Sequence, residues 1–173
     1  GPDLDELKSD LNRRSGLQAV TGGRHADWGS HNALVGLGEG NYLELVAPEP
    51  GATGPWGDLF GTLPGPSLQA WCVRAGPAAE VEERLATVGV GTRRVAGGRR
   101  LADGSMLTWQ LVFPVDHGFG GALPFFIDWQ GSEHPSSRLE AAAELVNLTV
   151  EHPDAHALSV VLAAVGKLPE GVE

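Results

Sequence analysis

The stretch GGRHADWGSHNALVGLGEGNYLELVAP, residues 22–48, predicts the fold of this 173-residue chain. It opens with a glycine-rich turn that holds Arg24 and His25, and it ends in a strand that carries a single acid, Glu44. A tight turn at residues 39–41 (Glu-Gly-Asn) connects its last two strands. No other window of the sequence brings so many hydrogen-bonding, titratable and aromatic side chains together. We therefore expect a β-hairpin that carries the candidate site, with the rest of the chain as its scaffold.

Composition and charge narrow the class of protein. Hydrophobic residues make up 42% of the chain, which suffices for a folded core. The formal net charge of −10 repels phosphate backbones and anionic membranes, so neither nucleic acid nor a membrane is an expected partner. No apolar run approaches the roughly 20 residues of a membrane helix. The single cysteine, Cys72, cannot form an internal disulfide, so we expect a cytoplasmic protein.

Three windows share one helical pattern and predict an internal repeat. Each begins at a proline suited to a first helical turn, carries apolar residues at helical spacing and stops at a glycine. The three predicted helices lie within residues 1–16, 76–89 and 152–166. The two later helices each follow a strand-like run, whereas nothing precedes the first. We therefore expect that a strand upstream of Gly1 is missing from this chain.

Short apolar runs bounded by turn residues predict strands around these helices. In the first half the predicted strands are Leu17–Val20, His31–Leu37 and Tyr42–Pro48. In the second half they are Ser67–Arg74, Gly91–Val95, Met106–Phe113 and Leu123–Trp129, with a turn at Asp103-Gly104. A last predicted strand, Leu145–Glu151, precedes the third helix. Aligning the closing strands of the two halves places Asp128 at the position of Glu44.

These elements predict an α+β chain built from β-α-β-β-β modules with curved mixed sheets. Residues 1–48 form the first module without its first strand, and residues 67–137 form the second. A linker rich in Gly and Pro, residues 49–66, joins them. Residues 138–173 begin a partial third module with one strand and one helix.

The sequence resembles a known family. The strings GGRH at residues 22–25, GSHNAL at 29–34 and YLEL at 42–45 are similar to those of glyoxalase-like domain proteins. GGALPFFIDW at residues 120–129 and HPS at 134–136 are similar to the same branch. This branch belongs to the vicinal oxygen chelate (glyoxalase, bleomycin resistance and dioxygenase) superfamily. The resemblance implies paired β-α-β-β-β modules whose sheets form a cup, with a divalent metal held by the first and last strands of each module.

On this resemblance the candidate metal ligands are Glu44 and Asp128, from the last strands, with His25 or His31 nearby. Oxygen and nitrogen donors of this kind suit Zn, Fe, Mn or Ni. The strands that usually supply histidines in the superfamily contribute none here, because one is absent and the other lacks them. The alternative is that Glu44 is an exposed acid and that the histidines bond to backbone groups of the glycine-rich turn. His31 and Asn32 are adjacent on one strand, so they point to opposite faces.

The remaining candidate residues concern ligand binding and proton transfer. Arg24 is a candidate for binding a carboxylate of the substrate, and Trp28, Asn32 and Trp129 are candidates for ligand contact. His134 is a candidate proton shuttle, since imidazole titrates near neutral pH. The alternatives are a surface ion pair for Arg24, core packing for the tryptophans and a plain turn histidine at 134.

The resemblance implies an enzyme that acts on a small oxygenated organic molecule, with Glu44 and His134 as catalytic residues. A divalent metal would polarise vicinal oxygens of the substrate, as in lyases, isomerases and dioxygenases of the superfamily. The alternative is a metal-free protein that binds or sequesters a small molecule in the same cup, which the missing strand histidines favour. We also consider a homodimer, because an exposed sheet edge invites strand pairing between copies.

Overall fold

The computed structural model describes residues 1–38, 40–101 and 104–166. The two predicted turns contain Glu39 and Asp103, which lie outside the described residues. None of the helices in the described ranges has the length and apolar character needed to cross a membrane.

The chain folds into two compact units, and each unit has its own sheet. Unit 1 contains residues 1–68 and 134–145. Unit 2 contains residues 69–133 and the chain from residue 146 onward. This division places residues 49–66, the expected linker, inside unit 1.

Unit 1 has a three-stranded antiparallel sheet and two helices. Along the chain its elements are α1 (Leu4–Ser15), β1 (Val20–His25), β2 (Ser30–Gly36), β3 (Tyr42–Pro48) and α2 (Pro55–Gly61). The strand order is β1-β2-β3. The predicted bounds of β3 are confirmed, whereas the strand predicted at residues 17–20 is wrong, since β1 begins where that prediction ends. The glycine-rich segment expected to be a turn is part of β1.

Helix α1 forms because both of its ends are capped and one of its faces is apolar. Asp3 accepts a hydrogen bond of 2.8 Å from a backbone N–H of the first turn. Gly16 ends the helix in the left-handed region, with φ of 75°. Leu7 is buried in one cluster with Ala33 and Ala47 of the sheet. Helix α1 therefore covers one face of the sheet of unit 1.

Helix α2 occupies the segment expected to be a linker. Its Trp56 stacks on Trp28, with ring centroids 5.4 Å apart and an interplanar angle of 8°. A Cβ on Gly57 would lie 2.3 Å from the backbone oxygen of Gly29, and one on Gly54 would lie 2.5 Å from the backbone of Trp28. The glycines of this segment thus permit close packing. A glycine-rich composition is compatible with tight contact as well as with mobility, and part of the expected linker is a packed helix.

Unit 2 has a four-stranded mixed sheet in the complete β-α-β-β-β order. Its elements are β4 (Cys72–Arg74), α3 (Ala78–Thr87), β5 (Gly91–Arg100), β6 (Met106–Val115), β7 (Phe125–Asp128) and α4 (Ala155–Val165). The strand order is β4-β7-β6-β5, with β4 parallel to β7 and the other neighbours antiparallel. The structure confirms the predicted α+β class and this module, although β4 is shorter and β5 longer than expected.

Helices α3 and α4 share the core of unit 2. Leu85 of α3 is fully buried in one cluster with Val112 and Phe126 of the sheet. Leu158 of α4 belongs to the same cluster. The strand predicted at residues 145–151 is not formed. The third predicted helix does form, and it contributes to the core of unit 2.

Candidate ligand-binding site

A β-bulge in β1 shapes one face of unit 1. The pairing of β1 with β2 shifts by one residue between Thr21 and Arg24, at the Gly22-Gly23 dipeptide. Asn32 of β2 places its side-chain oxygen at this bulge, where the oxygen accepts a 2.6 Å hydrogen bond from the N–H of Gly23. A Cβ on Gly22 would lie 2.0 Å from that oxygen, so the bulge has room for the amide only because residue 22 is glycine.

Asn32 in turn holds the carboxylate of Glu44. Its amide nitrogen donates a hydrogen bond to Oε1 of Glu44. Because the amide oxygen accepts from Gly23, the NH₂ group is the end that meets the carboxylate. Asn32 is only 6% exposed, whereas Glu44 is exposed. A buried amide therefore holds an accessible carboxylate in one position.

The face that carries Glu44 is the one turned away from α1. Leu45 and Ala47 are buried on the α1 side, so Glu44, in alternation with them, points to the other side. His25 pairs with Ser30 on this other side, and its Nδ1 lies 3.2 Å from the Ser30 hydroxyl. The name Glu44 face is used below for the side chains of β1, β2 and β3 that point away from α1. It carries three predicted site residues: His25, Asn32 and Glu44.

Tyr42 and His134 add an aromatic pair to the Glu44 face. Tyr42 lies two residues before Glu44 on β3, so it points to the same side. The ring centroids of Tyr42 and His134 are 5.5 Å apart, with an interplanar angle of 50°. Nδ1 of His134 accepts a 3.2 Å hydrogen bond from the N–H of Ser136, so a neutral ring carries its proton on Nε2. His134, a predicted catalytic residue, therefore lies beside Tyr42 with a donor at its far nitrogen.

A second polar cluster lies on the α1 side of the same sheet. Arg24 pairs with His31 across β1 and β2, and both meet Glu49. The carboxylate oxygens of Glu49 lie 3.3 Å from the Arg24 guanidinium and 3.4 Å from Nδ1 of His31. The Glu49 side chain is 14% exposed. The sheet therefore separates Arg24 and His31 from Glu44, and the sequence reasoning missed Glu49 because it was assigned to a linker.

Asp128 has a structural contact in unit 2. Its Oδ2 accepts a 3.1 Å hydrogen bond from the N–H of Ala78, the first residue of α3, and its Oδ1 accepts a 2.8 Å bond from the N–H of Gln130. Asp128 thus stabilises the start of α3. Within its own unit Asp128 thus points toward a helix, whereas Glu44 points away from one, and a ligand role for either acid remains a prediction.

The four predicted metal ligands do not converge within the units. His25 and Glu44 share the Glu44 face, His31 lies on the α1 side, and Asp128 bonds to the start of α3. In the part of the chain that the structure describes, no three His, Cys, Asp or Glu side chains are grouped to hold a metal ion. Catalytic zinc sites use about three protein ligands, so His25 and Glu44 alone do not fit that requirement.

The two predicted ligand-binding tryptophans both pack against other aromatic rings. Trp28 stacks on Trp56, as described above. Trp129 meets Trp109 edge-on, with ring centroids 5.8 Å apart. A Cβ on Gly97 would lie 2.4 Å from the indole nitrogen of Trp109, so this glycine makes room for the ring. Ligand contact by Trp28 or Trp129 remains a prediction.

A cleft of about 230 Å³ in unit 2 contains none of the predicted site residues. Arg84, at its edge, donates a 2.8 Å hydrogen bond to the backbone oxygen of Val165 and lies 3.4 Å from the carboxylate of Glu80. These contacts link α3 to the end of α4.

The topology of the two units and the sequence pattern of the chain define the family to which the protein belongs. The β-α-β-β-β order of unit 2, with the shorter α-β-β-β version in unit 1, is consistent with the vicinal oxygen chelate fold. The chain belongs to the glyoxalase-like domain family, whose sequence pattern matches residues 1–166.

The chain also resembles a protein of known structure. The chain is similar to the crystal structure of a hypothetical protein from Staphylococcus aureus, with a TM-score of 0.53 and 20% sequence identity. The match covers 70% of this chain and 55% of that one, so this chain spans little more than half of that protein's length. This likeness supports the fold alone. No curated protein matches the chain.

Proposed function

We propose that this protein binds a small organic molecule on the Glu44 face through hydrogen bonds to its own side chains. One observation carries this proposal: the N–H of Gly23 holds Asn32, and Asn32 holds Glu44. An exposed carboxylate gains little for folding from such support, because surface polar contacts contribute little to stability. A carboxylate that is already oriented does lower the entropic cost of binding a ligand.

The neighbouring groups define what the ligand must offer. Glu44, when ionised, only accepts hydrogen bonds, so the ligand carries an O–H or N–H donor. Tyr42 and His134 provide aromatic surface beside it, which suits an apolar part of the ligand. The site therefore suits a molecule that combines a donor with an apolar part.

Metal-assisted lyase, isomerase or dioxygenase chemistry, the function first expected from the resemblance, is less well supported. Its donor set is split, because His31 lies on the side of the sheet opposite to Glu44. Glu44 is engaged by Asn32, and Asp128 by two backbone N–H groups. Ligand binding by protein groups needs none of these residues to move.

The test is a screen of small polar fragments by ligand-observed NMR against the wild-type chain and a Glu44→Gln variant. Gln keeps the size of the side chain and removes its charge. The matched control is Glu6→Gln, which changes an exposed acid on α1. We expect a group of fragments whose binding signal is lost with Glu44→Gln and kept with Glu6→Gln. Fragments that bind all three proteins alike, or no binding at all, would refute the proposal.

A further inference from the structure

We propose that the outer edge of β4 in unit 2 binds an extended peptide whose side chains alternate between small aliphatic and acidic. Such a peptide adds a strand to the sheet, with main-chain hydrogen bonds that give affinity and side chains that give specificity. The inference goes beyond the proposed function, because the Glu44 face belongs to unit 1 and β4 belongs to unit 2. Each of the two proposals can therefore fail without the other.

The open edge of β4 is the first step. β4 is the first strand in the order β4-β7-β6-β5, so no strand of the described chain pairs with its outer side. The C=O of Trp71 accepts a 3.2 Å hydrogen bond from β7, and the N–H of Ala75 donates one of 3.1 Å to β7. Because the residues that bond to a neighbour alternate along a strand, the N–H and C=O of Arg74 point away from β7. These two groups are available to an added strand.

The cleft of about 230 Å³ borders this edge on the α3 side. Its lining includes Arg74 and Gly76 from the edge, and Val73, Val81 and Phe126 give it an apolar floor. Its volume is below the roughly 300–1,000 Å³ of sites for drug-sized ligands, so only small groups fit. The side chains of an added strand that point to the α3 side are therefore small and aliphatic.

Contacts between α3 and α4 hold the far wall of the cleft in place. Arg84 donates a 2.8 Å hydrogen bond to the backbone oxygen of Val165 at the end of α4. Its guanidinium also lies 3.4 Å from the carboxylate of Glu80, so these two charges compensate each other. Arg84, Glu80 and Val165 all line the cleft. The wall is thus formed before a ligand binds, which lowers the entropic cost of binding.

The positive charge lies on the other side of the edge. Side chains alternate along a strand, so Arg74 points away from the α3 side, to which Val73 points. Arg74 is exposed, and within residues 1–38, 40–101 and 104–166 no hydrogen bond or ion pair engages its guanidinium. A residue of the added strand directly opposite Arg74 points to the same side, so an acid there can pair with the guanidinium. The residues before and after that acid point to the cleft, and the expected pattern is aliphatic, acid, aliphatic.

The experiment titrates the full chain with three short peptides and follows its ¹H–¹⁵N NMR signals. The peptides are acetyl-Val-Asp-Val-amide, its neutral analogue acetyl-Val-Asn-Val-amide, and acetyl-Asp-Val-Val-amide, which has the same composition without the alternation. We expect the first peptide to shift the amide signal of Gly76 and to bind about threefold more tightly than the other two, since one exposed ion pair changes an affinity by only about twofold to fivefold. The net charge of −10 repels acids from the rest of the surface, so a preference for the acid identifies Arg74.

Two variants separate the charge of Arg74 from its backbone. Arg74→Gln keeps the N–H and removes the charge, so it should bind the first and second peptides alike. Arg74→Pro also removes the N–H, which β7 does not use, so it should bind every peptide at least about threefold more weakly than Arg74→Gln does. Arg99→Gln is the matched control on β5, at the other edge of the sheet, and should bind like the wild type.

Several results would overturn the inference. Signals near β4 that shift with none of the peptides exclude the site, and equal affinity for the first and third peptides excludes an alternating added strand. If Arg74→Pro keeps a native amide spectrum and binds as tightly as Arg74→Gln, the edge does not pair through its main chain. If Arg74→Pro does not fold, the comparison of the first and third peptides decides. An equal loss in Arg99→Gln would show attraction to positive charge in general and count against the site.

Discussion

Replacing Gly22 by Ala tests whether the bulge in β1 supports the candidate site. A Cβ at this position would lie 2.0 Å from the side-chain oxygen of Asn32 and 3.1 Å from its backbone oxygen. The flexible amide must therefore leave its place. It then loses the hydrogen bond from Gly23 and the one to Glu44.

The expected loss of stability in Gly22→Ala follows from these two hydrogen bonds. A neutral hydrogen bond contributes about 0.5–1.5 kcal/mol net, and one to a charged group about 1.5–3 kcal/mol. The lower values apply here to the second bond, because Glu44 is exposed and solvent screens it. Replacing glycine by alanine returns about 0.4–1 kcal/mol through the unfolded chain. We expect Gly22→Ala to lower the free energy of unfolding by about 2 kcal/mol.

The assay is urea unfolding followed by tryptophan fluorescence. Gly65→Ala is the matched control, because a Cβ there meets no atom within 4 Å. A double-mutant cycle with Asn32→Ala isolates the coupling: once the amide is truncated, Gly22→Ala should cost much less. Fragments that depend on Glu44 should also bind Gly22→Ala more weakly. If Gly22→Ala is as stable as Gly65→Ala, or if its cost is unchanged in the Asn32→Ala background, the reasoning is wrong.

Three further predictions concern other parts of the chain. Gly57→Ala should displace α2, because its Cβ would lie 2.3 Å from the backbone oxygen of Gly29, and a change in tryptophan fluorescence larger than that of Gly65→Ala checks this. Asp128→Ala should lower the free energy of unfolding by about 1 kcal/mol, because the N–H of Ala78 at the start of α3 loses its acceptor. Asp128→Asn keeps an oxygen acceptor and should lose less, so an equal loss in both variants in urea unfolding would argue against capping. Purified protein loaded with Zn, Fe, Mn or Ni and then desalted should retain less than about 0.1 equivalent of metal, because His25 and Glu44 fall short of the three protein ligands of a catalytic zinc site. Elemental analysis measures the retained metal, and a stoichiometric amount would contradict the proposal that the Glu44 face binds its ligand without a metal.

Helices α1, α3 and α4 and the closing strand of unit 1 were predictable from sequence because they depend on local signals. Gly16 ends α1 in the left-handed conformation, and such a glycine is recognisable without knowledge of the fold. Alternation along Tyr42–Pro48 placed β3 correctly and put Glu44 opposite to Leu45. The family strings around these residues were likewise readable from the chain alone.

Local composition was a poorer guide to the conformation of two segments, residues 49–66 and 145–151. The segment around Gly57 was expected to be a linker, but its glycines allow backbone contacts of α2 with Gly29. Residues 145–151 have the apolar character of a strand, yet they form no continuous strand in the described structure. Packing partners distant in sequence decide the conformation of such segments, and local composition does not show those partners.

By itself, the sequence determined the α+β class, the module of unit 2 and the family, and it indicated the hairpin at residues 22–48 as the candidate site. Only the tertiary structure decided which side chains of that hairpin share a face. The reason is the one-residue bulge at Gly22-Gly23, since a shift of one residue in a strand moves every later side chain to the other side. The bulge places Arg24 beside Glu49 and leaves Asn32 bonded to Glu44, so the arrangement of side chains at the candidate site depends on a register that the sequence did not reveal.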